Sequence, residues 1–424
     1  MKIAVIGFGA ASVGFLKEVE NENITVFEAN KDVFSSSISG IRADGKLFVS
    51  SEMGGDLEEI LLNLDLQREI INFYCKVADT IPEMGNHENS LELKKAFHRY
   101  GFKLVEAKFY HLGTEKLKIF LQSIYETFLQ KGIRFVFGAR VVDVGLEKNI
   151  VKIKYIKEGM EYTEEFDRVY IAVGRSGLKL VDLISTKYPE LVVRNNIVDL
   201  GIRYELPNFV VQKLNDMLYE FKIKYQASNG LLVRTFCNNP SGYVVTEKYP
   251  SFVTVNGHSF QSKKSKNTNF AILVTHNFTK PFNDPNGYGE YIARLANILA
   301  GGRKVILQTY GDFKMGKRTK RLWNVFPTLN SNEYILGDLN LVLPHKTVKA
   351  ITEFLEQLEM VIPGISNYSH LMYGIEVKFY SKKMNNDLVP NLKFIGDCSG
   401  FTRSIVHATA HGLLEYMKLK RELK

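Results

Sequence analysis

Three residues near the start of the chain have the types and spacing to hold a diphosphate and a ribose. They are Gly7 and Gly9 in "KIAVIGFGAASVGFL", and Glu28, which follows 21 residues after Gly7. Gly7 permits a tight turn, and Gly9 lets the backbone approach a pyrophosphate. Ala10, Ala11 and Ser12 then open a helix whose free amides and partial positive charge favour that anion. Glu28, followed by Ala29, is placed to accept both hydroxyls of an adenosine ribose, and its charge would repel a 2′-phosphate. Ser12 stands where the usual glycine pattern has its third glycine. Serine is the next smallest polar choice, and Gly14 can relieve crowding nearby. The bland alternative is a fortuitous glycine turn in some other α/β protein.

The elements that must carry these residues are readable around them. Ile3 to Ile6 is a short apolar run of the kind buried on both faces of a parallel sheet. Ala10, Val13, Leu16 and Val19 recur at helical spacing, and "ITVFEAN" is a second buried strand. Strand, glycine turn, helix and strand within about 30 residues make a βαβ unit. The motif by itself does not separate FAD from NAD.

The far end of the chain separates them. In "NLKFIGDCSGFTRSIVHATAHGLLEYMK", Leu392 to Ile395 is another buried strand, Gly396-Asp397 a turn, and Ile405, Ala408, Thr409 and Leu413 one face of a final helix. This element resembles the C-terminal flavin motif of glutathione-reductase-type flavoproteins, in which the aspartate accepts a ribityl hydroxyl. A helix N-terminus there stabilises the negative charge of a reduced flavin ring, a need that a nicotinamide dinucleotide does not have. On its own, Asp397 reads equally well as a cap of the last helix. Between the two ends, "NIVKIKYIKEGMEYTEEFDRVYIAVGRSG" reads as a β-meander running into a buried strand and Gly174. Before it, a helix and strand lead to Val141-Val142, where backbone groups in such folds meet an adenine.

Taken together, stretches such as "SGIRADGKLFVSSEMGGDL", "AVGRSG", "VDLGIRYELP", "VRTFCNNPSGYVV" and "GDCSGFTRSIVHATAHG" resemble the poorly characterised NAD(FAD)-utilising, FAD-dependent dehydrogenases. The likeness runs over nearly the whole chain. It implies an α/β fold: a FAD-binding Rossmann-like (glutathione-reductase-type) domain with an inserted α+β substrate domain. It also implies an oxidoreductase that passes hydride through flavin N5 to or from a small organic substrate.

The expected division is a discontinuous FAD domain, 1–200 with 389–424, around an insert at 201–388. The insert mixes strand-like runs ("NFAILVTH", "KVILQTY", "IEVKFY") with helical ones ("GEYIARLANILA", "TVKAITEFLEQLEMV"). It has no second glycine-rich βαβ unit, so NADH or NADPH would serve only as a transient reductant. The expected cofactor-binding residues are Gly7, Gly9, Ala10, Ala11, Ser12, Glu28, Ala29, Gly45, Lys46, Val141, Val142, Gly174, Gly396, Asp397, Arg403, Ser404 and Ile405.

The catalytic residue is unassigned, with Lys46, His258 and Arg403 as weak candidates. A lone histidine is more often structural than catalytic. His407 and His411 have metal-ligand spacing but no third ligand, so no metal is expected; one partly buried and one exposed histidine is the plainer reading.

Composition bounds the rest. The chain has 424 residues, 45% hydrophobic and 24% charged, and its three cysteines are too far apart for a dithiol relay or a zinc knuckle. No apolar run reaches the ~18 residues needed to span a bilayer. A cytoplasmic protein with no membrane partner is expected. The net charge of +9 suits an anionic small substrate. Five basic residues in "KMGKRTKR" raise a second reading, a flavoprotein acting on RNA. Aromatic residues are not interleaved with that run as a stacking surface would require, so nucleic acid is not the expected partner. A third reading is a non-catalytic protein that holds FAD as a structural or sensing ligand.

Overall fold

Short apolar runs become parallel strands here because both of their faces are covered. The computed structural model describes residues 1–20, 22–33, 46–53, 55–81, 83–84, 91–106, 108–194, 196–218, 221–260 and 263–423. The chain divides into two units: Met1–Gly85 with Ala107–Asn195 and Ser381–Lys424, and Asn86–Glu106 with Asn196–Tyr380. The expected boundaries at 200 and 389 are therefore shifted, and residues 86–106 leave the first unit. Sequence could not assign that segment, since its strand Phe102–Glu106 pairs with Phe221–Gln226, more than a hundred residues away.

The first unit is built on a five-stranded parallel sheet. Its order is Leu392–Phe394, Arg168–Ile171, Lys2–Ile6, Asn23–Glu28 and Arg134–Phe137. Lys2–Ile6 sits in the middle, and the chain leaves it in one direction to Asn23–Glu28 while Arg168–Ile171 lies on its other side. A crevice opens at the carboxyl ends of strands at such a switch point. The meander is present as Arg140–Glu147, Ile150–Lys157 and Met160–Phe166, antiparallel throughout.

One packing contact decides how the two ends of the chain meet. The first helix, Ala10–Leu16, lies against the last, Ile405–Glu422. A Cβ on Gly14 would sit 1.9 Å from the Thr409 carbonyl oxygen, and one on Gly412 would sit 1.9 Å from that of Ala11. Only glycine at both positions lets the two backbones approach this closely. Gly14, five residues past the motif's second glycine, supplies the close approach.

The second unit carries an eight-stranded sheet in the order Tyr334–Leu336, Val305–Thr309, Leu371–Lys378, Ile197–Pro207, Asn267–Asn277, Leu232–Asn239, Phe221–Gln226 and Phe102–Glu106. All neighbours are antiparallel except the first pair. Along Ile197–Pro207, Val198, Leu200, Ile202, Tyr204 and Leu206 join the core formed with the helices Asn208–Met217, Pro285–Leu299 and His345–Leu358. The alternate residues Asp199, Arg203 and Glu205 are buried as well. This strand reads as continuously buried, so period-two patterning alone would not reveal its polar face.

Candidate functional site

The crevice at the carboxyl ends of the parallel strands is a cavity of about 530 Å³. Gly7, Glu28 and Ala29, Ala172 and Ile395 each stand at or just past the end of a strand, which is why residues distant in sequence share its wall. The volume falls within the range typical of small-molecule sites.

The glycine turn has the required geometry. Gly7 has φ +96°, and a Cβ there would lie 2.7 Å from the Ala172 carbonyl oxygen. Its amide donates to the Phe27 carbonyl at 2.7 Å. The following helix has no side-chain cap at Gly9, so the amides of its first turn remain for a ligand anion or water. Ser12 is fully buried and does not line the cavity. Its hydroxyl donates to the Gly7 carbonyl at 2.5 Å and so braces the turn from below.

Glu28 is held by its surroundings. One carboxylate oxygen accepts from the Phe8 amide at 2.8 Å, and the other from the Asn30 amide at 2.9 Å and the Asn30 side-chain amide at 2.6 Å. These bonds fix the carboxylate at the cavity wall before any ribose arrives. On the opposite side, Asp397 accepts from the Thr402 hydroxyl at 3.0 Å and faces the Arg175 guanidinium at 3.5 Å. Arg403, Ser404 and Ile405 follow it into the wall, and the Ser404 hydroxyl caps the last helix by accepting from the His407 amide at 3.1 Å.

Of the residues expected from sequence, Gly7, Gly9, Ala10, Ala11, Glu28, Ala29, Val141, Gly174, Asp397, Arg403, Ser404 and Ile405 line this one cavity. Val142 does not; it falls at the register irregularity between Val141 and Asp143. Gly396 lies behind Asp397, its amide donating to His411 Nδ1 at 3.1 Å. Gly45 and the side chain of Lys46 lie outside the described residues; the Lys46 backbone starts a strand paired with His111. His258 belongs to the second unit, exposed at the end of the strand Val253–His258.

Both His407 and His411 are buried, which corrects the expectation that one would be exposed. Burial pushes the His407 ring down to about 4 and the His411 ring down to about 3. His411 serves as a neutral acceptor for the Gly396 turn. Among the described residues no three His, Cys, Asp or Glu side chains cluster as metal ligands. Cys398 is buried, and burial raises its thiol to about 12, so it is no nucleophile.

Sequence reasoning missed the cations of the cavity wall: Arg140, Arg175 and Lys179 join Arg403 there. Arg140 directly precedes Val141, and Arg175 directly follows Gly174. The signal in the sequence is adjacency to Gly174 and to the meander residue Val141. The residues present fit FAD: open helix-terminal amides with Arg140, Arg175 and Lys179 for two phosphates, a fixed carboxylate for a ribose, and Asp397 for a polyol hydroxyl.

Comparison with known proteins bears mainly on the second unit. Residues 204–379 match the family model described as FAD-dependent protein, C-terminal domain-like. No curated protein matches the chain. Several solved structures are similar at low identity. Tetracycline destructase Tet(51) is 14% identical, with 100% of this chain and 81% of that one covered and a TM-score of 0.37. A geranylgeranyl bacteriochlorophyll reductase-like protein from Thermoplasma acidophilum is 12% identical, covering 100% and 78% with a TM-score of 0.39. A flavoprotein/dehydrogenase from Cytophaga hutchinsonii is 9% identical, covering 99% and 79% with a TM-score of 0.36. Similarity at that level carries no argument about activity; the matched family model ties the second unit to FAD-dependent proteins.

Proposed function

We propose that the chain is a FAD-dependent oxidoreductase of the glutathione-reductase-type fold class, acting on a small anionic organic substrate. The observation that carries this reading is the convergence of Glu28 and Asp397, 369 positions apart, on the wall of one cavity together with the glycine turn. FAD bound there would supply two-electron, hydride-level redox chemistry.

The chain's own residues have distinct tasks. Amides at the start of the helix Ala10–Leu16, with Arg140, Arg175 and Lys179 near by, would take the phosphates. Glu28, already held by three donors, would accept the adenosine ribose hydroxyls without having to be reordered. Asp397 would exchange its contact with Arg175 for a ribityl hydroxyl, which frees Arg175 for a phosphate. The amides at the start of the helix Ile405–Glu422 would face the redox ring and favour its anionic form. Arg403, at the same helix entry, is the best placed cation for a substrate carboxylate or phosphate. NADH or NADPH would act as a transient reductant from solution, and the cytoplasm is the expected setting.

The test is direct. Purified protein should be yellow or take up FAD stoichiometrically, and the Glu28→Ala and Asp397→Ala variants should each weaken that uptake. Anaerobic mixing with NADH and with NADPH then shows which one bleaches the flavin. A colourless protein that ignores added FAD would end the proposal; uptake of FAD without turnover by any donor and acceptor pair would favour the non-catalytic reading.

A further inference from the structure

The basic run at 314–321 does not stand alone at its end of the second unit. The strand Ile197–Pro207 stops and Asn267–Asn277 starts at that end, with Pro207 opposite Asn267. The Asn208 amide continues the ladder by donating to the Lys266 carbonyl at 3.0 Å, which fixes Phe209 beside it. The Asn267 side-chain amide donates to the Phe326 carbonyl at 2.9 Å, and the Val244 amide to the Thr328 hydroxyl at 2.9 Å. The basic run reaches the same end: Thr319 bonds the Thr309 amide at 2.9 Å, and Thr309 pairs with Leu371, itself opposite Glu205.

Four large apolar side chains stand out from this end. Phe209 is 78% exposed, Phe326 75%, Trp323 48% and Phe260 45%. Soluble domains seldom gather several such groups, and where they do the patch usually meets an apolar partner. Lys263, Lys264 and Lys266 precede the strand start at Asn267, and Lys317, Arg318, Lys320 and Arg321 flank Thr319, all exposed. Among the described residues none of these seven cations is in an ion pair, although surface lysines elsewhere are commonly paired. The carboxylates closest in sequence are occupied, Asp312 by the Thr319 hydroxyl at 2.7 Å and Glu333 by that of Thr246 at 2.5 Å.

We propose that this end of the second unit is a docking surface for an anionic phospholipid bilayer. The apolar side chains would enter the headgroup layer while the seven cations meet lipid phosphates and carboxylates. Rings with aromatic, apolar and cationic character side by side suit that interface. A single-stranded nucleic acid would instead want ring faces laid flat on a sheet to stack bases. Here Trp323 and Phe326 stand on a loop, Phe209 starts a helix, and Phe260 follows a strand end. Such docking would depart from the expectation of no membrane partner.

The experiment is co-sedimentation of the full chain with phosphatidylcholine vesicles and with phosphatidylcholine–phosphatidylserine vesicles, at low and high salt. Binding is expected only to the phosphatidylserine vesicles and is expected to fall with salt. Phe209→Ser combined with Phe326→Ser should lower the partition at least about tenfold. Lys320→Glu combined with Arg321→Glu should lower it by about fivefold or more per cation. Matched melting midpoints separate loss of the surface from loss of the fold, and the charge variant decides alone should the phenylalanine variant aggregate. Wild-type protein left in the supernatant with phosphatidylserine vesicles at low salt would overturn the proposal. So would variants that partition as wild type does, or binding to a polyuridine oligonucleotide with none to vesicles.

Discussion

The two units handle charge in opposite ways. In the first, the candidate site is made largely of backbone: a left-handed glycine, uncapped amides at a helix start, and strand ends, with Glu28 held by amide donors and the wall's cations exposed. In the second, charges are buried inside the sheet itself. Arg234 meets Asp199 at 2.5 Å with the Tyr380 hydroxyl donating to the same carboxylate at 2.6 Å. Arg203, fully buried, lies 3.4 Å from Glu376, and Tyr373 donates to buried Glu205. A site of backbone groups costs little to keep empty, because water can serve the same amides. Buried charges must be satisfied by each other at all times. The first arrangement suits a ligand that comes and goes during folding, and the second suits a rigid platform.

The largest test of that contrast is Arg234→Met. It leaves Asp199 charged, buried and without its main partner, and should cost about 3–5 kcal/mol of stability. Burial alone would raise the Asp199 carboxyl, but Arg234 and the hydroxyls of Tyr380 and Thr275 outweigh it and hold the group low. A denaturant midpoint lowered to match is the expected result. A change under about 1 kcal/mol would show that the pair is dispensable and would break the comparison.

Acid should separate the units next. His407 and His411 belong to the first unit, and their rings are depressed by burial to about 4 and about 3. The unfolded chain therefore binds protons that the folded one refuses. Stability is complete above the ordinary histidine range and declines as pH falls below it, by about 2 kcal/mol for each ring at pH 5. The second unit has opposing groups. Its His370 is likewise depressed, to about 4, by burial. Burial raises Glu376 to about 7 and outweighs the nearby Arg203, so that group adds stability as pH falls from 7 towards the ordinary carboxylate range. Amide exchange at pH 7 and pH 5 should show the first unit losing protection sooner. Faster loss in the second would reverse the assignment.

Glu28→Ala probes the backbone-built site. Removing a charged hydrogen-bond acceptor should weaken FAD by roughly tenfold to a hundredfold. Folding stability should change less than in Arg234→Met, since water can replace the carboxylate at the cavity wall. A flavin titration with a parallel melting curve reads both quantities. Unchanged FAD affinity would remove Glu28 from the site.

These contrasts also explain what could be read beforehand. Gly7, Glu28 and Asp397 were legible because each demand they meet is local: a turn, a strand end, a helix entry. Their meeting in one cavity follows in the sequence only from the resemblance of the two ends to flavoprotein motifs; in the structure the carboxyl ends of parallel strands bring them together. The second unit was legible only as mixed strand and helix. Its polar sheet face depends on which strands become neighbours, and Phe102–Glu106 pairing with Phe221–Gln226 leaves no local mark. Arg140 and Arg175 were missed because a cation next to a glycine or a strand start is ordinary until a cavity gives it a direction.

Ser12 gives the smallest effect and the finest discrimination. Substitution to glycine would restore the usual pattern, yet the hydroxyl donates to the Gly7 carbonyl and the close helix approach has already been assigned to Gly14. Ser12→Gly should therefore lose a hydrogen bond worth about 1 kcal/mol and add a helical glycine penalty of roughly half that relative to serine. FAD affinity should stay within about twofold, because Ser12 supports the turn without facing the cavity. Gly14→Ala, by contrast, forces a methyl group onto the Thr409 carbonyl and should be the worse substitution although it lies outside the motif. If Ser12→Gly raised stability while Gly14→Ala were tolerated, the third glycine's role would belong to position 12 after all, and the packing of the first helix on the last would need another cause.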